Sequence, residues 1–264
     1  MVDRQQAEGA TDLLRIEALS LTFGGLQVLD RISMAVPRAT ICGLVGPNGA
    51  GKTSLFNCVS GLYRPDGGKI LINGVDALRL APHQLTRLGL ARTFQQAWLD
   101  PTATVLDNVL VGGHTRIRGG AFSLALRLPS VRRDEARLRE RARELLEYVG
   151  LAATANRPAG TIPNASAKRV EIARALLADP RLLMLDEPAG GVAHGEVDAL
   201  AGLVLRLRDE LGLTILLVEH HMGMVSAVTD KVVALVEGRK VTEGPAAHVR
   251  EHPTLIQAYL GAAA

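Results

Sequence analysis

Short, wholly apolar runs alternate along the chain with stretches whose apolar positions recur at helical spacing. Leu13 to Phe23 reads as a strand-rich opening that turns at Gly24-Gly25. Ile32 to Val36, Thr40 to Val45 and Lys69 to Ile72 read as further strands, the last bracketed by Asp66-Gly67-Gly68 and Asn73-Gly74. Ser54 to Val59 looks helical. Residues 100 to 165 change character. A Gly-rich piece runs from Gly112-Gly113 to Gly119-Gly120, and a charged stretch follows from Arg132 to Tyr148. There Leu138, Ala142, Leu145, Leu146 and Val149 recur at helical spacing, which predicts a helical insertion rather than core sheet. Lys168 to Ala178 and Glu196 to Leu211 read as helices. Leu182 to Leu185 is apolar throughout, as buried parallel strands tend to be, and Leu213 to Val218 reads as another buried strand. Strand–helix alternation is expected to the end, with a short Ala tail after Gly261 and no internal repeat.

Composition supports this outline. The 264 residues are 47% hydrophobic, enough for one large α/β domain with a sizeable core. Aromatics are only 3%, so the core must be built from Leu, Val, Ile and Ala. Cys42 and Cys58 have no metal-ligand spacing and are expected to pack as small apolar side chains in a reducing compartment. No apolar run approaches the ~18–20 residues needed to span a bilayer. Met1 to Thr11 is polar, without a signal-peptide core. The expected location is therefore cytoplasmic unless a partner holds the chain at a membrane. Net charge is +3 and the estimated pI 9.1, but the basic residues form no stripe, so no nucleic-acid partner is expected.

The chemistry begins at Gly46-Pro47-Asn48-Gly49-Ala50-Gly51-Lys52-Thr53, a G-x-x-x-x-G-K-T phosphate-binding loop followed by Ser54. It sits between an apolar strand and a helix, the setting the motif needs. The glycines let backbone N–H groups close around a phosphate. Lys52 can reach the β- and γ-phosphates, and the Thr53 hydroxyl can ligate Mg²⁺. Downstream, the strand through Leu185 ends in Asp186-Glu187. At a strand end both acids can reach the phosphate edge, Asp186 to hold Mg²⁺ and Glu187 to polarise an attacking water. A third strand ends in Glu219-His220-His221, where a histidine could contact the γ-phosphate or that water. Gln95, at the start of the helical insertion, could sense Mg²⁺ or the water. Phe23, before Gly24-Gly25, could stack on adenine or lie in the core.

The order Phe23, phosphate loop, Gln95, helical insertion, Asp186-Glu187, His220 resembles the ATP-binding subunit of an ABC transporter, over nearly the whole chain. The resemblance implies a P-loop NTPase (ABC ATPase) α/β core with an N-terminal antiparallel β subdomain. An α-helical subdomain would be inserted at about 97–178, within one domain over 1–264. It implies ATP and Mg²⁺ as cofactors, with Thr53, Gln95 and Asp186 at the metal, and Glu187, His220 and Gln95 in catalysis. It also selects His220 over His221 as the switch histidine. Ala91-Arg92-Thr93-Phe94-Gln95, Thr104 to Val109, Val170 to Leu176 and His252 to Gly261 look like one branch. This is the larger ATPase subunit of branched-chain amino acid importers, a subunit type shared with urea and amide importers. The implied partners are a second ATPase subunit, membrane permeases and, indirectly, a periplasmic solute-binding protein. The implied place is the cytoplasmic face of the membrane.

Two segments depart from the family pattern. Where a Leu-Ser-Gly-Gly-Gln signature would present a helix N-terminus to a partner's ATP, this chain has Ile162-Pro163-Asn164-Ala165-Ser166-Ala167. If Ala165 needs a positive φ, its Cβ costs on the order of 1 kcal/mol. Alternatively, Asn164 or Ser166 caps a helix that starts near Ala167. After Asp186-Glu187-Pro188, Ala193 stands where the family usually has Asp or Asn. These departures imply an asymmetric pair of ATP sites, or a regulatory subunit that binds ATP and hydrolyses it poorly. A soluble ABC ATPase acting on nucleic acid or ribosomes would usually carry a second cassette, a coiled coil or a basic extension, none of which the sequence holds.

Overall fold

The computed structural model describes residues 12–95, 97–116 and 129–261. The Met1 to Thr11 segment, Gly119-Gly120 and the Ala tail lie outside them. The chain divides into two compact units. The first takes the chain up to Arg92, Arg181–Glu187 and everything from Ala201. The second takes Thr93–Pro180 and Pro188–Leu200.

The first unit holds two sheets. Strands β1 (Asp12–Phe23), β2 (Leu26–Pro37), β4 (Gly67–Ile72) and β5 (Val75–Asp76) form an antiparallel sheet in the order β2-β1-β4-β5. β2 begins six residues before the expected Ile32, because the tight turn at Gly24-Gly25 lets it pair with β1 from Phe23↔Leu26 onward. Gly67 and Gly68 belong to β4 rather than to a turn, since the β1 ladder runs on to Ser20↔Gly67. The second sheet has the order β10-β9-β3-β8-β7-β6. Its strands are β3 (Ile41–Val45), β6 (Leu90–Arg92), β7 (Leu182–Asp186), β8 (Thr214–Val218), β9 (Lys231–Val236) and β10 (Arg239–Gly244). All pair in parallel except the β9–β10 hairpin, which interrupts the expected strand–helix alternation.

Strands β3, β7 and β8 are buried at every position, which explains the apolar runs at 41–45, 182–185 and 215–218. One core joins both sheets through Leu14, Ile16, Leu29, Leu44, Ile70 and Leu216, with Phe56 of helix α1 (Lys52–Val59) at its centre. Phe56 is fully buried, so truncating it to Ala removes about 3–5 kcal/mol. Cys42 and Cys58 are buried free thiols in the same cluster. The short α2 (Pro82–Leu85), α7 (Met222–Val228), α8 (Ala246–Arg250) and α9 (Pro253–Gly261) complete this unit.

The described part of the second unit is helical. Its elements are α3 (Val105–Leu110), α4 (Pro129–Tyr148) and α5 (Asn164–Leu176), and α6 (His194–Leu211) starts in it. Thr104 caps α3 by accepting the Asp107 N–H at 3.0 Å, worth about 1 kcal/mol. Buried Asn108 fixes the preceding loop, accepting from the Asp100 N–H at 2.8 Å and donating to the Asp100 carbonyl at 3.0 Å. Along α4 the predicted stripe is real: Ala142, Leu145 and Leu146 are buried, as is Val149 just beyond its end.

Candidate functional site

The phosphate loop joins β3 to α1, which starts at Lys52, two residues before the sequence pattern suggests. Two of its glycines are demanded by the surrounding backbone. At Gly46 (φ 151°) an added Cβ would lie 2.1 Å from the Leu235 carbonyl oxygen. At Gly51 (φ 96°) it would lie 2.9 Å from the Val28 carbonyl oxygen and 2.8 Å from Leu29. The loop therefore keeps a shape in which successive N–H groups and the α1 N-terminus can surround an anion. Pro47 and Ala50 are buried beneath it, while Asn48 and Gly49 are exposed. Lys52 is buried, and its Nζ donates to the Gly46 carbonyl at 2.7 Å and the Pro47 carbonyl at 2.9 Å. Burial pushes the ammonium pKa below its ordinary value, opposed by the nearby charges of Glu187 and Asp186. Thr53 is exposed and Ser54 half-buried.

β7 delivers the two carboxylates. Asp186 is buried at the strand's last position. Glu187 then takes a left-handed backbone (φ 48°), which costs a non-glycine residue about 1–3 kcal/mol. That turn breaks strand alternation, and the Glu187 N–H still bonds the Val218 carbonyl at 2.9 Å. Val218 ends β8, and two residues later the His220 Nε2 lies 2.6 Å from Glu187 Oε1. Glu219 aims this segment. It is buried, and its Oε2 accepts the N–H groups of His220 (2.7 Å) and His221 (3.0 Å). His221 plays a different part, its Nδ1 accepting the Met224 N–H at 3.2 Å to cap α7. Phe23 is 46% exposed at the end of β1, which excludes the core alternative. Its ring stands edge-on to Tyr63, with centroids 5.1 Å apart and planes at 80°.

The first unit therefore contains Phe23, Gly46–Ser54, Asp186, Glu187 and His220. The donors fit Mg²⁺: a hydroxyl at Thr53 and a carboxylate at Asp186 are hard oxygen ligands. Among the described residues no group of three or more His, Cys, Asp or Glu forms a metal cage of its own.

Gln95 and Pro163–Ala167 belong to the second unit. One face of α5 holds the Gln95 segment by its backbone. Lys168 Nζ donates to the Gln95 carbonyl, Glu171 Oε1 accepts the Trp98 N–H at 3.3 Å, and Arg174 donates to the Trp98 carbonyl at 2.7 Å. Burial raises the Glu171 pKa, with Arg174 pulling against it. The signature segment departs from expectation. α5 begins at Asn164, with Pro163 as its N-cap residue and no side-chain cap. Asn164 is the first helical residue rather than the cap, and its Nδ2 donates to the Gly191 carbonyl at 2.9 Å. Ser166 and Ala167 already lie inside the first turns. Ala165 is buried and absent from the positive-φ residues, so its Cβ carries no backbone strain. In the segment after Glu187, Ala189 is buried while Gly191 and Ala193 are exposed.

Sequence reasoning missed Arg92, Glu219 and the Lys168–Glu171–Arg174 face. The three α5 residues do recur at i, i+3 and i+6, the spacing of one helix face. Nothing in the residue pattern shows what Arg92 or Glu219 contacts.

Comparison with known proteins identifies the family. Residues 29–190 match the family described as ABC transporter. The chain is 38% identical over 251 residues to the high-affinity branched-chain amino acid transport ATP-binding protein BraF of Pseudomonas aeruginosa, covering 95% of this chain and 98% of that one. It is 39% identical, with the same coverage, to the corresponding protein LivG of Escherichia coli K12. Among solved structures, a nucleotide-free ATP-binding cassette from an ABC transporter superposes with a TM-score of 0.83 at 30% identity, covering 94% of this chain and 98% of that one. The ADP conformation of the cassette MJ1267 also gives 0.83 at 30% identity, covering 95% and 99%. With a family match over more than half its length and relatives this similar from end to end, the chain belongs to the ABC transporter family and has the fold of its ATP-binding cassettes.

Proposed function

We propose that this chain is the ATP-hydrolysing motor subunit of an importer for branched-chain amino acids or related small polar solutes. The observation that carries the reading is the Glu187–His220 contact of 2.6 Å in the unit that also holds the phosphate loop. The names of the relatives support the substrate class. In this reading Phe23 stacks on adenine. Gly46 to Ser54 wrap the phosphates, and Lys52 turns its remaining donor to the γ-phosphate. Thr53 and Asp186 would hold Mg²⁺, which would offset the negative charge of the phosphates. Glu187 polarises the attacking water and accepts its proton, and His220 orients that carboxylate.

The second unit is proposed as the helical subdomain, with Gln95 as its sensor of the nucleotide. A cavity lined by Gln95, Leu99, Ile162, Ala167 and Lys168 is offered as a docking groove for a permease. The departed signature at Pro163–Ala167 favours pairing with a different ATPase subunit. This chain's phosphate loop would then serve the competent site, and the partner's would face the altered segment. The proposed place is the cytoplasmic face of the membrane, with a solute-binding protein on the far side. No described helix is long and apolar enough to cross the membrane itself.

The test is steady-state ATPase of the chain alone and mixed with its sister subunit. Glu187→Gln should retain nucleotide binding and lower turnover of the assembled complex about 10²–10⁴-fold. Near-normal hydrolysis by that variant would remove Glu187 as the base. Rapid turnover by the isolated chain would contradict the asymmetric pairing.

A further inference from the structure

Arg92 ends β6 and is nearly enclosed, its side chain 10% exposed against 6% for Asp186. Its guanidinium bonds both the end of β7 and α1. Nη2 donates to Asp186 Oδ2 at 2.8 Å, and Nη1 donates to Asn57 Oδ1 at 2.7 Å and Ser60 Oγ at 2.9 Å. Its plane lies over Phe56, 5.5 Å from the ring centroid. Asn57 lies in α1 and Ser60 is its C-cap residue, and Thr53 stands in the first turn of the same helix. One side chain thus joins the end of β7, which carries Asp186, to the helix that carries Thr53.

We infer that Arg92 is the positioning residue that fixes Asp186 relative to Thr53, and so sets how tightly Mg²⁺ binds beside the nucleotide. The inference rests on the reading of Asp186 and Thr53 as the metal-binding pair. A planar guanidinium can hold Asp186 through one nitrogen and α1 through the other in a fixed geometry, which a point charge does not. Screening by salt is weak at this burial. Groups that hold metal ligands from behind typically change metal affinity about 10–100-fold when removed. Stability alone explains the pair poorly, because apolar residues often replace a buried ion pair at no loss.

The experiment is a Mg²⁺ titration of fluorescent ATP-analogue binding in the full chain carrying Glu187→Gln, so that turnover does not intrude. Arg92→Met should raise the Mg²⁺ concentration for half-saturation about 10–100-fold. Nucleotide binding without metal should stay within about twofold, and Arg92→Lys should recover only part of the Mg²⁺ shift. A lowered melting temperature with an unmoved Mg²⁺ midpoint would overturn the inference. If Arg92→Met does not fold, Asn57→Ala and Ser60→Ala release the guanidinium from α1 and should shift the midpoint several-fold in the same direction; an unmoved midpoint in both overturns it as well. Asp186→Asn separates the two levels. If it leaves the Mg²⁺ dependence unchanged, the underlying site reading fails. If it moves the dependence while the Arg92 variants do not, only the role of Arg92 fails.

Discussion

The phosphate loop and the signature segment are both anion sites at helix N-termini by family resemblance, yet their sequences are constrained differently. Gly46 and Gly51 are fixed by this chain's own backbone, whose carbonyls would lie 2.1 and 2.9 Å from an added Cβ. Asn164, Ala165 and Ser166 lie in ordinary helical backbone, with no positive φ. Folding therefore demands the first set and tolerates change in the second. Any demand for glycine at Ala165 would come from a nucleotide held by another subunit. Departures from a family pattern are expected where only the partner enforces it.

The largest effect should follow from Gly46→Ala. With the Leu235 carbonyl in the way, the loop must move, at about 3 kcal/mol or more of stability, and ATP binding should be lost. Thermal unfolding and nucleotide titration would show both. Unchanged binding would mean the loop is not held as described, and the contrast between the two segments would collapse. Phe23→Ala removes an exposed ring and should weaken ATP binding about 3–10-fold without lowering the melting temperature. An equal loss of affinity for all nucleoside triphosphates would support stacking rather than base-specific contact.

Ala165→Gly tests the other side. It should cost the chain about 0.5–1 kcal/mol through the start of α5. If the Cβ alone hinders the partner's site, turnover of the assembled pair should rise, measured against the same pair without the change. A stable, unaltered pair would mean Ser166 or Pro163 matters more.

The smallest effect concerns Cys42 and Cys58. Burial pushes both thiols up to about 12, so near pH 8 only on the order of 10⁻⁴ of each is thiolate. Neither should react with a thiol reagent until the chain unfolds. Because each thiol holds its proton more tightly when folded, its contribution to stability is complete below the ordinary thiol value of 9.0. That contribution is lost as pH rises from there to about 12. Rapid labelling at pH 8 would show that the first unit opens locally.

Much of the first unit was legible because its signals are local. β3, β7 up to Leu185 and β8 from Ile215 are continuous apolar runs, and a strand–loop–helix phosphate motif declares its own surroundings. Boundaries slipped where pairing with a distant strand decided them, as at Leu26 and Gly67. The α5 start differs too. Asn164 reads as a cap in sequence, but Pro163 takes the N-cap position and Asn164 begins the helix, its amide bonded to Gly191 27 residues away. His220 and His221 are adjacent in sequence, and only the folded chain sends one to Glu187 and the other to the α7 N-terminus.

The sequence alone marked the buried strands β3, β7 and β8, the main helices, the phosphate loop and the pair of acids at a strand end, and its family resemblance implied the fold class. Periodicity and glycine spacing act over a few residues and survive without tertiary information. The tertiary structure decided which side chains converge. Arg92 reached Asp186 across 94 positions, Glu187 reached His220 across 33, and Ala165 settled into an unstrained helix. Those outcomes depend on strand order and burial, which place residues together by packing rather than by spacing along the chain.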